Sequence, residues 1–266
     1  MTQTILDRIF EAKRLRVAAA KENCDGEVLR DRAQRIRDLR TAGTFRQALL
    51  RNDSLNIIAE FKRASPSKGP INGTASIAAT VEAYERGGAC AISVLTEEDF
   101  FQGSLDDLAV ARNKTSLAIL RKDFILDEYQ IWESAAIGAD AVLLIASMLD
   151  DETISRLYAA AKEFGLDTLV EVHTHEELER ASRLGAEIIG VNNRNLKSFD
   201  VSLDVSRGLI LFAPTDAVMV AESGLRNYRD LEELRSLGYK GFLIGEALMK
   251  SGEPEQALRN LLGVTV

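Results

Sequence analysis

LAILRKDFILDEYQIWESAAIGADAVLLIA, residues 117–146, sets two short apolar runs on either side of a stretch with a longer period. LAILRK (117–122) and DAVLLIA (140–146) are nearly continuous apolar segments of strand length, as expected where both faces of a parallel sheet are covered. Between them, DEYQIWESAAIGA (127–139) spaces its apolar residues three and four apart and carries a Gly near its end, the pattern of an amphipathic helix and its C-terminus. The segment therefore reads as one β-α-β unit. Outward from it the alternation continues. Strands are expected at NIIAEF (56–61), ACAISVL (89–95), DTLVEVH (167–173), EIIGVN (187–192), AVMVAES (217–223) and GFLIG (241–245). Helices are expected in SIAATVEAYERGG (76–88), DDETISRLYAAAKEFG (150–165), THEELERASRLG (174–185) and NYRDLEELRSLG (227–238). Eight such units predict an α/β protein built as a (β/α)8 TIM barrel, ahead of an open doubly wound sheet. No Gly/Ser/Pro-rich linker or low-complexity tract interrupts the units, so residues 1–266 are expected to form a single barrel domain. Residues 1–50 precede the first strand and read as an N-terminal helical extension. In TILDRIFEAKRLRVAAA, Ile5, Leu6, Ile9 and Phe10 share one helical stripe, suited to covering barrel surface or to walling the mouth of a site.

Charge and cysteine content narrow the function. With 33 Lys+Arg against 41 Asp+Glu, the net charge of -8 argues against nucleic acid as a partner, and any anionic ligand must be met by a local site. Cys24 and Cys90 lie far apart with no CxxC, which suggests neither a disulfide framework nor a zinc site and fits a reducing compartment. MTQTILDRIFEAKRL lacks the apolar core of a secretion signal, and no apolar run approaches the ~18 residues that span a bilayer. A soluble cytoplasmic protein is expected, with no membrane partner.

Polar residues then appear where a barrel strand should be apolar. In EFKRASPSKG (60–69), Glu60 and Lys62 fall on one face of the first strand. By the same alternation Lys122 shares a face with Leu120, Glu171 with Leu169, Asn192 with Gly190, and Glu222 with Val220. All lie at strand C-terminal ends, the face that carries the active site in a (β/α)8 barrel. Burying even one unpaired ion costs several kcal/mol against a total stability of roughly 5 to 15 kcal/mol, so a collection of them implies either mutual salt bridges or a function. Ser223-Gly224 and Gly245-Glu246 follow the last two strands. Each reads as a turn entering a helix, where backbone N–H groups and the helix dipole attract phosphate. Ser65 and Lys62 can complete that grip.

The segments IIAEFKRASPSKG, SVLTEEDFFQGS, LRKDFI, LVEVHT, IIGVNNRNL, VAESG and FLIGEALM, with TILDRIFEAKRLRV before them, recur in order over nearly the whole chain and resemble the indole-3-glycerol phosphate synthase family. The resemblance implies a cofactor-free carboxy-lyase of tryptophan biosynthesis that closes the indole ring of 1-(2-carboxyphenylamino)-1-deoxyribulose 5-phosphate with loss of CO2 and water. It also implies a catalytic set of Lys122, Glu171, Lys62, Glu60 and Asn192. Lys122 is the acid, expected to work best with its pKa brought down toward neutrality, and Glu171 is the base. Lys62 is a second acid or a partner of the substrate carboxylate, a division that the residues leave open. Substrate contacts would come from Arg194, Glu222 and Ser223, with aromatic walls from Phe100 or Phe101 and from Phe124. Phosphate would lie against Ser65, Ser223, Gly224, Gly245 and Glu246. Phe61 is bulkier than the aliphatic residue often found between the Glu and Lys, and alternation turns it outward.

Two rival readings are another sugar-phosphate barrel enzyme, such as phosphoribosylanthranilate isomerase, and a non-catalytic phosphate-ligand binding barrel. The first would typically place a Cys on the first strand, where this chain has Glu and Lys; the second would have no use for Lys122 and Glu171. His173-Thr174-His175 offers no further ligand cluster, and Thr174 with Glu177 reads as a capping box, so no metal is expected. Lys68 lacks the G-x-x-x-x-G-K frame of a nucleotide loop. A monomer or weak homodimer is expected.

Overall fold

The computed structural model describes residues 4–51, 54–66, 68–196 and 198–264; the outermost residues of the expected 1–266 domain lie outside these. Eight strands close into a parallel barrel: β1 (Ile57–Phe61), β2 (Ala91–Leu95), β3 (Ala118–Lys122), β4 (Ala141–Ile145), β5 (Asp167–Val172), β6 (Ile188–Asn192), β7 (Val218–Glu222) and β8 (Gly241–Ile244). Each pairs with its sequence neighbours, and β8 returns to β1 through Ile57 opposite Phe242 and Ala59 opposite Ile244. The expected (β/α)8 barrel is the fold. Every expected strand is present, shorter than its sequence run by a residue or two at one or both ends.

Strand alternation separates two apolar layers. Ile58, Leu120, Leu143, Ile145, Leu169, Ile188, Val218, Val220 and Leu243 fill the barrel interior. Their neighbours, among them Ile57, Ala59, Ile92, Ile119, Val142, Val170, Ile189 and Phe242, pack outward under the helices. Phe61 belongs to this outer layer, as alternation requires, with the Arg63 guanidinium 4.9 Å from its ring centroid.

The N-terminal segment forms helices α1 (Ile5–Asn23), α2 (Gly26–Arg37) and α3 (Thr44–Leu49). Thr4 and Asp7 form a reciprocal capping box that starts α1. Phe45, Ala48 and Leu49 of α3 pack into the interior cluster, while Asn56 donates to the carbonyls of Leu49, Arg51 and Lys240. The helix thereby closes the N-terminal end of the barrel. Burying a side chain such as Phe45 or Leu49 stabilises by about 1.5–3 kcal/mol.

Seven of the remaining helices bear on the site or its frame: α4 (Ile77–Gly87), α5 (Leu105–Lys114), α6 (Glu128–Ala136), α7 (Asp151–Glu163), α8 (His175–Leu184), α9 (Asp204–Leu209) and α10 (Tyr228–Leu237). After β8 come the short α11 (Glu246–Lys250) and then α12 (Pro254–Leu261). The loop after β1 folds into a small antiparallel pair, Ala64–Ser65 with Gly69–Pro70, which the sequence reading did not anticipate.

Candidate active site

Glu60, Lys122, Glu171, Asn192 and Glu222 each end or nearly end an inward-facing row of a strand, directly above the interior layer. Their side chains converge at the C-terminal mouth. Lys122 Nζ lies 2.7 Å from Glu171 Oε2 and 3.1 Å from Glu222 Oε2. Asn192 Nδ2 donates to Glu171 Oε1 at 3.1 Å, and Lys62 Nζ pairs with Glu60 Oε1 at 2.7 Å. Two glycines make room for the carboxylates. A Cβ on Gly190 would meet Glu222 Oε1 at 2.1 Å, and one on Gly245 would meet Glu60 Oε1 at 2.3 Å.

Charge state follows from this crowding. Burial alone would lower the Lys122 pKa, but Glu171, Glu222 and Glu60 outweigh it and hold the ammonium above its ordinary value. The expectation of a lysine brought toward neutrality is therefore corrected: one cation faces several carboxylates, and they keep its proton. Burial would raise Glu171, yet Lys122 and His173 carry its pKa below the usual carboxylate range. Glu222 goes the other way, because burial and the negative charge of Glu171 together exceed what Lys122 returns. Two like carboxylates around one cation are thus driven apart, one firmly ionised and one reluctant.

Every residue that the sequence placed in the site lines one cavity: Glu60, Lys62, Ser65, Phe101, Lys122, Phe124, Glu171, Asn192, Arg194, Glu222, Ser223, Gly224, Gly245 and Glu246. Phe101 and Phe124 face one another with ring centroids 6.0 Å apart. Phe100, the alternative wall, is not among the lining residues and instead lies under the Arg8 guanidinium. Ile5, Leu6 and Ile9 of α1 complete the apolar side, so the extension walls the mouth as well as covering the barrel. Arg194 reaches toward Glu246 at 3.6 Å and donates to the Phe199 carbonyl.

The anion turns differ from one another. Gly245 is the N-cap of α11, as expected, with no side-chain cap on the first turn, and Gly245, Glu246 and Ala247 line the cavity. Ser223 and Gly224, however, do not enter a helix. They stand in successive left-handed conformations, φ 64° and 81°, and α10 starts only at Tyr228, with Asn227 as its cap. Consecutive left-handed residues turn the backbone sharply at the cavity edge, and a Cβ on Gly224 would strike Val201 at 2.7 Å.

The cavity is also lined by residues that sequence reasoning does not single out, among them Asp123, Leu196 and Phe199. Asp123 follows Lys122, and strand alternation turns it away from the barrel axis. It is buried, paired with Arg121 at 3.0 Å and with Lys13 of α1 at 2.9 Å, and it accepts from Thr96. Leu196 and Phe199 sit in the loop after β6, which has no periodicity to read. The two histidines diverge. His173 packs against Glu171 and Glu177, while His175 meets Phe212 edge-on. Thr174 caps α8, but the Glu177 carboxylate accepts from the His173 N–H instead of closing a capping box.

Comparison with known proteins follows this geometry. The family model described as indole-3-glycerol phosphate synthase matches residues 6–261. An indole-3-glycerol phosphate synthase of Legionella pneumophila (strain Paris) is 43% identical over 260 residues, covering 97% of this chain and 98% of that protein. One of Carboxydothermus hydrogenoformans is 43% identical over 261 residues, covering 97% and 99%. Among solved structures, a thiamine phosphate pyrophosphorylase of Pyrococcus furiosus superposes with a TM-score of 0.60 at 19% identity over 81% of this chain and 96% of that one, a likeness of fold alone.

Proposed function

Because the chain belongs to the indole-3-glycerol phosphate synthase family, we infer that the charged residues at the barrel mouth divide the steps of that reaction among themselves. The protein is a carboxy-lyase of tryptophan biosynthesis that acts on a small-molecule substrate. Its reaction begins when the ring carbon bearing the carboxylate attacks the C2' carbonyl of 1-(2-carboxyphenylamino)-1-deoxyribulose 5-phosphate. The carbonyl oxygen must gain a proton as the bond forms, and Lys122, held protonated by its carboxylates, is the donor. The C–C bond to the carboxylate then breaks, CO2 departs, and its electron pair restores the aromatic ring. In the last step the new hydroxyl leaves as water, the nitrogen lone pair drives it out, and a proton is lost from C1'.

Glu171 takes that proton, since it is the carboxylate kept ionised. Asn192 orients Glu171 through Oε1, and Glu60 orients Lys62, which meets the substrate carboxylate or protonates the leaving hydroxyl. Phe101 and Phe124 flank the anthranilate ring; Arg194 and Glu222 contact the sugar chain. The phosphate is gripped by Ser65, Ser223, Gly224, Gly245 and the N–H of Glu246. Every step moves only protons and electron pairs, so no cofactor is required. On this reading the barrel and its N-terminal helices form one domain that acts in the cytoplasm as a monomer or weak homodimer.

The observation that carries the assignment is the single cation of Lys122 placed within hydrogen-bond reach of two carboxylates whose affinities for protons differ. Glu171→Gln tests it, because Gln keeps shape and much of the hydrogen bonding while removing basicity. The variant is expected to fold and bind substrate but to lose about 100-fold or more in kcat. A variant that melts lower yet turns over normally would make Glu171 scaffold.

A further inference from the structure

The reaction takes up a proton. Two protons are delivered to the carbonyl oxygen, which leaves as water, and one is recovered from C1'; the departing carboxylate, lost as neutral CO2, accounts for the difference. Lys122 and Glu171 exchange a proton across 2.7 Å, but Glu171 is buried and Lys122 is exposed only toward the cavity that the substrate fills, so while substrate is bound their exchange returns only the proton taken from C1'. We propose that His173, backed by Glu177, is the relay through which the missing proton reaches Glu171 from a second cleft beside the active site. This rests on the assignment of Glu171 and Lys122 as base and acid.

His173 Nε2 lies 3.4 Å from Glu171 Oε1, the oxygen that faces away from Lys122. It is a buried nitrogen with no hydrogen-bond partner among the described residues. On the far side of the ring, Nδ1 lies 3.3 Å from Glu177 Oε2, which also accepts from the His173 backbone N–H at 2.7 Å, so the ring lies between two carboxylates. Glu171 lines the active-site cavity, whereas His173 and Glu177 line a separate cleft between the loops after β5 and β6. Leu6, Asn192, Arg194 and Leu196 line both and form the partition. The imidazole thus touches the base on one side and the second cleft on the other.

The charged groups facing it are Glu171 on β5, Glu222 on β7 and Glu177 on α8, with Glu176, Arg180, Arg194 and Asp200 farther around the cleft. Burial would lower the His173 pKa, but the hydrogen bond to Glu177 and the charge of Glu171 outweigh it, so the ring holds its proton to higher pH than a free imidazole. In each cycle the imidazolium gives its Nε2 proton to Glu171 Oε1 and becomes the neutral Nδ1–H tautomer held by Glu177. Glu171 passes a proton from Oε2 to Lys122, and to recover one the ring must break its Nδ1 contact with Glu177 and swing Nε2 to the cleft water, on the side where 12% of its side-chain surface is exposed. His173 does not touch substrate. It is a positioning and proton-supplying residue that acts through Glu171.

His173→Gln keeps a polar side chain of similar reach but cannot carry a proton. Supplying protons matters most where they are scarce, so kcat should fall about tenfold at the alkaline end of the pH profile, with the alkaline limb displaced to lower pH and KM unchanged. Imidazole added to the buffer should restore part of the loss. Glu177→Gln should displace the limb in the same direction by less. A kcat and alkaline limb that match the wild type in both variants would overturn the relay, as would a pH-independent loss that imidazole does not rescue and that tracks a lower Tm. Glu171→Gln separates the two claims: if it stays active, the base assignment itself fails, and if it is inactive while His173→Gln is normal, only the relay fails.

Discussion

Glu222 shows what a single side chain costs this molecule. Its folded pKa is raised, so above the ordinary carboxylate range the unfolded chain is ionised while the native site resists ionisation, and the position destabilises the fold. That penalty is absent below the unfolded pKa and grows as pH rises toward the folded one. Glu222→Gln should therefore raise Tm, by more at pH 8 than at pH 5, while lowering kcat by about 100-fold. A thermal melt at both pH values checks it, and a lower Tm at pH 8 would show that Lys122 gains more from Glu222 than the crowding costs. The residue types of the site were legible in the sequence because alternation along each strand tells which side chains face inward. Their charge states were not, because these depend on distances between strands far apart in the chain: Lys122 to Glu171 to Glu222.

At the scale of elements, β6 and α1 carry the clearest consequences. Gly190 lies opposite Val220 on β7, and a methyl group there would stand 2.1 Å from Glu222 Oε1. Gly190→Ala should leave the barrel folded but displace Glu222, lowering kcat at least tenfold; unchanged turnover would mean that the strand shifts to make room. On α1, buried Lys13 bridges Glu98 and Asp123, tying the apolar wall of Ile5, Leu6 and Ile9 to the strand end that carries Lys122. Removing one partner of a buried pair costs about 3–5 kcal/mol. Lys13→Met should therefore depress Tm and raise KM more than it lowers kcat, measured by melting and steady-state kinetics. The strands and outer helices were legible as β-branched runs and three-four spacing. The small pair after β1 and the closure of the barrel floor by α3 were not, because Ala64–Ser65 and TFRQAL are too short to show a period and are fixed by packing.

Across the whole molecule, a chain of net charge -8 would meet an anionic substrate, on the proposed reading, through a few cations set among carboxylates at one rim. Lys62, Lys122 and Arg194 all open into the same cavity, at the C-terminal mouth of the barrel. The closed β1–β8 order was foreseeable because eight alternating units offer few other ways to cover both faces of a parallel sheet. The turn at Ser223-Gly224 was misread because Gly after a strand suggests a helix start, whereas two successive left-handed residues carry the chain to α10 by another path. On the proposed reading, the arrangement as a whole turns on the Lys122 ammonium as the group that protonates the carbonyl oxygen. The most direct measurement is steady-state formation of indole-3-glycerol phosphate by Lys122→Met, followed by fluorescence of the indole product, beside an equilibrium measurement of substrate binding. Turnover should fall by about 100-fold or more while binding stays within about tenfold of wild type. Turnover near the wild-type rate would contradict the assignment of Lys122 as the acid.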